Sequence, residues 1–195
     1  ISFAPDALER GLPMQPDIIA IDGGSTDSGP HYLGTGTCKY SRASVKREWR
    51  LLMLARARLG VPLLIGTAGT CGTDSMVDWL LDITREIAAE EGQSLRVAAL
   101  YCSQDTGAVA QSFAGGAVSA LPGAPESSAK TITDCSNIVA LAGAEQIRAA
   151  LATGAAGAPR SCSAAAARLA SPRSAPSPSP THCTAGSVSR WRAWW

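Results

Sequence analysis

Three times before residue 145 an aliphatic or β-branched run ends in a turn of glycine, hydroxyl or carboxylate residues and is followed by a helical pattern. The runs are DIIAIDGGSTD at 17–27, VPLLIGTAGTCGTD at 61–74 and LRVAALYCSQD at 95–105. Strands that are apolar on both faces, joined by helices, predict a parallel sheet. Between the first two runs, SRASVKREWRLLMLARARLG places Val45, Trp49, Leu52 and Met53 at helical spacing, with Ser41 or Ser44 as the cap and Gly60 as the stop. Between the second and third, TDSMVDWLLDITREIAAEEG opens on Thr73 or Asp74, forms a stripe of Met76, Trp79, Leu80, Ile83 and Ile87, and stops at Gly92. Trp49 and Trp79 lie on these stripes and are assigned to the core. A less regular stretch, with the turn SALPGAPESSAK, leads to a fourth unit: a strand at Ile138–Leu141 and a helix at Ala144–Ala152. No repeat of 20–50 residues is present. The predicted fold class is α/β: a mostly parallel sheet with helices on both faces, Rossmann-like and incomplete, followed by a disordered or frameshifted tail.

Composition divides the chain in two. With 195 residues, 46% hydrophobic and 17% charged, it suits one globular domain with a core. Residues 1–155 hold 12 basic residues and all 16 acidic ones, a net charge of −4, which argues against nucleic acid as a partner. Residues 156–195 hold five arginines and no acid, and are rich in Ala, Ser and Pro. The domain reading is therefore an α/β ligand-binding domain over 1–155, truncated at both ends, and a low-complexity basic tail over 156–195. Two accounts of the tail stay open: a disordered segment, or translation out of frame of a GC-rich gene. If Arg160 is CGN, Ser161 and Ser163 are TCN and Cys162 is TGY, another frame allows apolar residues and then glycine or arginine, where the βαβ pattern calls for its next strand. Ile1 opens the chain without a methionine or a basic, apolar leader, so a fragment is expected.

No apolar run reaches the roughly 18–20 residues of a membrane span, and no membrane partner is expected. The six cysteines, Cys38, Cys71, Cys102, Cys135, Cys162 and Cys183, show no CxxC spacing. They read as scattered thiols of a cytoplasmic protein rather than zinc ligands or disulfides.

In an open parallel sheet, ligands sit beyond the carboxyl ends of the strands, where the loops of different units converge. Gly23 and Gly24 let backbone amides approach a ligand, Ser25 and Thr26 add hydroxyls, and Asp22 and Asp27 are the candidate catalytic carboxylates. The second loop offers Gly66, Thr67, Ala68, Gly69 and Thr70, with the helix starting near Asp74 aiming its amides back at the loop. The third adds Gln104 and Asp105. Each has a plain alternative: a tight exit from a strand for the first turn, a helix cap for Asp105. The second loop is neither GxGxxG nor GxxxxGK[ST], which disfavours dinucleotide and Walker chemistry. His31 reads as a half-packed ring on a surface loop, with acid–base work as the alternative, and Cys71 as a small buried filler rather than an activated thiol. A small anionic substrate is the expected ligand, the cofactor is unknown, no metal site is assigned, and association of identical chains stays open.

PDIIAIDGGSTDSGPHYLGTG, SRASVKREWRLLMLARARLGVPLLIGTAGT and GAEQIRAALATGA resemble the amino-terminal domain of the acyclic terpene utilisation (AtuA-type) proteins, over about residues 3–155. The resemblance implies a bacterial, cytoplasmic protein of acyclic isoprenoid and branched acyl-CoA catabolism, alongside a biotin-dependent acyl-CoA carboxylase. It implies a carboxylate- or CoA-linked aliphatic substrate and, if the protein is an enzyme, a lyase or hydratase type of step. It also maps Asp22–Asp27, Gly66–Thr70, Gln104 and Asp105 onto the family's characteristic stretches. Cys71 and the loose stretch DTGAVAQSFAGGAVSALPG depart from that pattern. The alternatives are a non-catalytic binding or scaffold subunit of an acyl-CoA carboxylase assembly, and an inactive fragment.

Overall fold

Ser41 opens the longest helix of the computed structural model, which describes residues 1–24, 30–155, 162–165 and 190–194. The Ser41 hydroxyl accepts from Ser44 N at 3.2 Å, satisfying one of the free donors at the start of α3 (Arg42–Leu59). At the other end Gly60 adopts φ 70° and donates its amide to the Arg56 carbonyl at 2.8 Å. Val45, Trp49, Leu52 and Met53 are buried, as their spacing predicts.

Helix α4 (Asp74–Glu90) departs in part from its predicted stripe. Leu80, Ile83 and Ile87 are buried, but so are Val77, Leu81 and Thr84, whereas Met76 and Trp79 are only half-buried. Trp79 is thus corrected from core to margin. Thr84 is inside because Trp49 Nε1 donates to its hydroxyl at 2.8 Å and that hydroxyl donates to the Leu80 carbonyl at 2.8 Å, leaving no polar atom of the pair unpaired.

Strands β1 (Ile19–Asp22), β2 (Leu63–Gly66), β3 (Arg96–Tyr101), β4 (Cys162–Ala165) and β5 (Arg190–Trp194) form one sheet in the order β1-β2-β4-β3-β5. The first four run parallel and β5 pairs antiparallel with β3. Alternate side chains of a strand serve opposite faces. Leu63, Ile65 and Ala99 therefore join the main core with α3 and α4, while Leu64 and Ala98 meet Ile147 and Ala150 of α7 (Ala144–Ala150) on the other side.

Shorter elements complete the chain: α1 (Pro5–Gly11), α2 (Pro30–Thr35), α5 (Thr106–Ala114) and α6 (Ala129–Thr133). Two corrections concern elements read from sequence. The stretch around His31, read as a surface loop, forms α2 with the His31 ring exposed and edge-on to Tyr32 at 5.1 Å. Ile138–Leu141 is no ladder strand: it makes a single antiparallel bridge, Ser103 to Val139, with Gln104 N donating to the Ile138 carbonyl and Ala140 N to the Cys102 carbonyl. Those bonds attach the segment across the end of β3, which leaves no edge along which it can continue. Within the expected tail, β4 and β5 are paired strands, and β4 lies where the βαβ pattern called for another strand. The rest of the tail lies outside the described residues.

Candidate functional site

The parallel register sets Asp22 beside Gly66, so the β1 and β2 loops leave the sheet at the same edge. Gly23 N donates to the Gly66 carbonyl at 2.6 Å, extending the pairing one step beyond the strands. A Cβ on Gly23 would lie 2.8 Å from that carbonyl oxygen, and one on Gly24 would lie 2.4 Å from the Thr70 carbonyl oxygen and 2.7 Å from Thr67 Cγ2. Both positions demand glycine because the two loops are pressed together, not because of backbone handedness. Asp22 is exposed and its Oδ1 accepts from Gly24 N at 3.0 Å, so the candidate catalytic carboxylate braces its own turn. Ser25, Thr26 and Asp27 lie outside the described residues.

The β2 loop is buried over Thr67, Ala68, Gly69 and Thr70, with Gly66 and Cys71 half-buried. Its backbone changes hand repeatedly: φ is 50° at Thr67, 62° at Gly69, 78° at Thr70 and 69° at Gly72. Positive φ is uncommon outside glycine and unfavourable for a β-branched residue. Thr70 is held there by its hydroxyl, which accepts from Lys39 N at 3.2 Å and lies 3.4 Å from Cys38 Sγ. Gly72 N closes the turn on the Ala68 carbonyl at 3.0 Å. Thr67 has no such support among the described residues: it is 3% exposed and its Oγ1 has no hydrogen-bond partner there.

The helix start next to this loop differs from the expectation of amides free to receive an anion. Asp74 N donates to Ser103 Oγ at 3.1 Å and Ser103 N donates to Asp74 Oδ1 at 2.9 Å. The Asp74 carboxylate thus already complements the positive end of α4, while Met76 N and Val77 N donate to the Thr73 carbonyl. Ser103 was missed from sequence; its only signal was a hydroxyl between β3 and a helix cap.

In the β3 loop the polar side chains bond nearby backbone. Asp105 caps α5, accepting from Ala108 N at 2.7 Å. Gln104 turns its Nε2 back to the Cys102 and Ser103 carbonyls at 3.0 and 3.3 Å. Burial, and then the Asp74 carboxylate, push the Cys102 thiol up to about 11, so it stays protonated at neutral pH. Cys71 Sγ lies 3.5 Å from Thr73 Oγ1.

The three strand-end loops are therefore joined: the first to the second through Gly23 and Gly24, the second to the third through Asp74 and Ser103. A groove of about 510 Å³ elsewhere is lined by α1 and α3, including Pro5, Leu8, Leu51 and Leu54, and by no residue of these loops. Among the described residues no group of three or more His, Cys, Asp or Glu is placed to hold a metal ion, and no helix is long and apolar enough to cross a membrane. Comparison with protein-family models, with curated proteins and with solved structures finds no match to this chain.

Proposed function

We propose that the chain is the Rossmann-like ligand-binding domain of an acyclic terpene utilisation (AtuA-type) protein, acting in the bacterial cytoplasm on a carboxylate- or CoA-linked branched aliphatic compound. The observation that carries this reading is the seam between the first two loops, where Gly23 N meets the Gly66 carbonyl at 2.6 Å and Gly24 sits against Thr70 with no room for a side chain. Two loops held this closely at the carboxyl edge of parallel strands form the kind of rigid rim at which open sheets take ligands. The anionic end of the compound rests on amides and hydroxyls of these loops. Asp22, exposed at the rim, and Asp27, in the same turn by sequence, are the proton-transfer groups of a lyase or hydratase type of step.

Calorimetric titration of the full chain with branched carboxylates and their CoA thioesters, followed by turnover assays on whichever binds, tests the proposal. Binding in the micromolar to millimolar range is expected. Asp22→Asn and Asp27→Asn are each expected to lower turnover by about 100-fold or more while leaving binding largely intact, the loss typical for a general acid or base. Absence of binding by every member of both compound classes rejects the proposal. Unchanged turnover in both variants rejects its catalytic part.

A further inference from the structure

Among the described residues of the joined loops, the Thr67 hydroxyl is a feature whose cost the fold itself does not explain. Its residue is 3% exposed, its Oγ1 has no hydrogen-bond partner among the described residues, and its backbone sits at φ 50°, an unfavourable region for a β-branched side chain. Buried polar atoms are nearly always satisfied, and one left unsatisfied is destabilising until something arrives to pair with it. The methyl of the same side chain is in contact range of the space a Gly24 Cβ would fill, at 2.7 Å, and of that at Gly72, at 3.8 Å, so Thr67 packs against the first loop as well as its own.

The surroundings narrow the partner. Positive φ at Thr67, Gly69, Thr70 and Gly72 alternates with the ordinary hand at Ala68 and Cys71. Backbone that alternates in this way turns successive amides into one concavity, which favours an electronegative oxygen. The charges nearby oppose a highly charged one. Asp22 borders the first loop and Asp74 the end of the second, each holding a backbone amide. The cation closest along the chain to the Thr70 contact, Lys39, has its ammonium 5.9 Å from the Tyr40 ring centroid. Repulsion from these two carboxylates grows with the charge of the ligand: it is greatest for a dianionic phosphate, about half as great for a single carboxylate and absent for a neutral carbonyl.

We propose that Thr67 Oγ1, with the amides of residues 68–71, seats one oxygen of a carbonyl or monoanionic carboxylate group and discriminates against phosphate. The inference rests on the ligand reading given above and assigns the acyl end, rather than any phosphate, to the second loop.

The test uses the full chain with two probes, 3-methylbutanoate and inorganic phosphate, and two variants, Thr67→Val and Thr67→Ser. Wild type is expected to bind 3-methylbutanoate and to show no phosphate binding at tenfold higher concentration. Thr67→Val, which keeps the shape and removes the hydroxyl, is expected to lose affinity at least tenfold while melting at the same temperature as wild type or above it. Thr67→Ser, which keeps the hydroxyl, is expected to bind within about threefold of wild type. Equal binding of 3-methylbutanoate by wild type and Thr67→Val overturns this inference and leaves the broader ligand reading standing. So does phosphate binding as tight as that of 3-methylbutanoate. A Thr67→Val protein that melts lower, with loss of affinity not restored by Thr67→Ser, also overturns it, because the hydroxyl is then structural. No binding of 3-methylbutanoate by wild type overturns it outright, and the CoA thioesters then decide whether the broader reading survives.

Discussion

The loops that follow β2 and β3 share their residue types, small side chains, hydroxyls and a terminal aspartate, yet they employ them differently. After β3 the polar groups serve the fold: Asp105 caps α5, Gln104 bonds its own backbone, and Ser103 exchanges two hydrogen bonds with Asp74. After β2 the backbone is wound into positive φ at two threonines, and one buried hydroxyl has no partner among the described residues. Strain and an unsatisfied group persist only where the surroundings enforce them, and such places cluster at ligand sites. The comparison therefore separates a scaffolding loop from the loop we propose as a ligand seat, although both look like sites in the sequence.

The strongest way to break the comparison is at the seam. Gly24→Ala places a methyl 2.4 Å from the Thr70 carbonyl oxygen, and backbone cannot swing aside as the end of a flexible side chain can. Overpacking of this kind is expected to cost about 3 kcal/mol, a fall in Tm of roughly 10 °C for a chain of this size, read by calorimetric melting. A fall of under about 2 °C would show the two loops free to separate, and the β2 loop would lose its claim to rigidity.

Next in size is the link between the loops. Ser103→Ala removes the acceptor of Asp74 N at the start of α4, with an expected loss of about 1–2 kcal/mol in chemical denaturation. Asp105→Ala removes the α5 cap for about 1 kcal/mol. In both, affinity for an acyl ligand is expected to stay within about threefold of wild type, a change of under about 0.7 kcal/mol. A tenfold loss of affinity in Asp105→Ala would return the β3 loop to the site and erase the distinction.

Much of this architecture was legible, and the failures have physical causes. The ends of α3 could be read from Ser41 and Gly60 because caps are local: a serine hydroxyl bonds an amide three residues on, and a glycine takes a backbone hand other residues avoid. The stripe of α4 was harder. Its burial depends on Trp49 from another helix offering Thr84 a donor, which no spacing rule within α4 records. The apolar run Ile138–Leu141 looks like a strand, but its partner is the short end of β3 rather than an open edge. Glycine and threonine density in the β2 loop coincides with its run of positive φ. Which polar atoms had partners was invisible, since Gln104 and Asp105 are satisfied by their own neighbours and Asp74 by Ser103, 29 residues away.

A third set of polar groups provides the control, because it is fully paired and lies on helix surfaces. Arg42, Lys46 and Arg50 of α3 interleave with Glu86, Glu90 and Glu91: Arg42 reaches Glu86 at 2.5 Å, Lys46 reaches Glu86 at 3.0 Å and Glu90 at 2.6 Å, and Arg50 reaches Glu91 at 2.7 Å as well as Glu90. Hydrogen bonds from Arg42 and Lys46 hold the Glu86 carboxyl down to about 2, from an ordinary value of 4.5. A carboxylate whose folded value is depressed contributes stability above its unfolded value and loses it as pH falls through the folded one. The contribution of Glu86 is therefore complete above pH 4.5 and declines toward pH 2. Because the pairs are exposed or only half-buried, the effect is small and screened by salt. Glu86→Gln is expected to flatten the acid limb of the melting profile slightly in low salt, to match wild type in 1 M salt, and to leave acyl affinity untouched at every pH. A Glu86→Gln protein with altered affinity at neutral pH would mean that the surface pairs of α4 reach the loop at its start, and the line between scaffold and ligand seat would have to be redrawn along the whole helix.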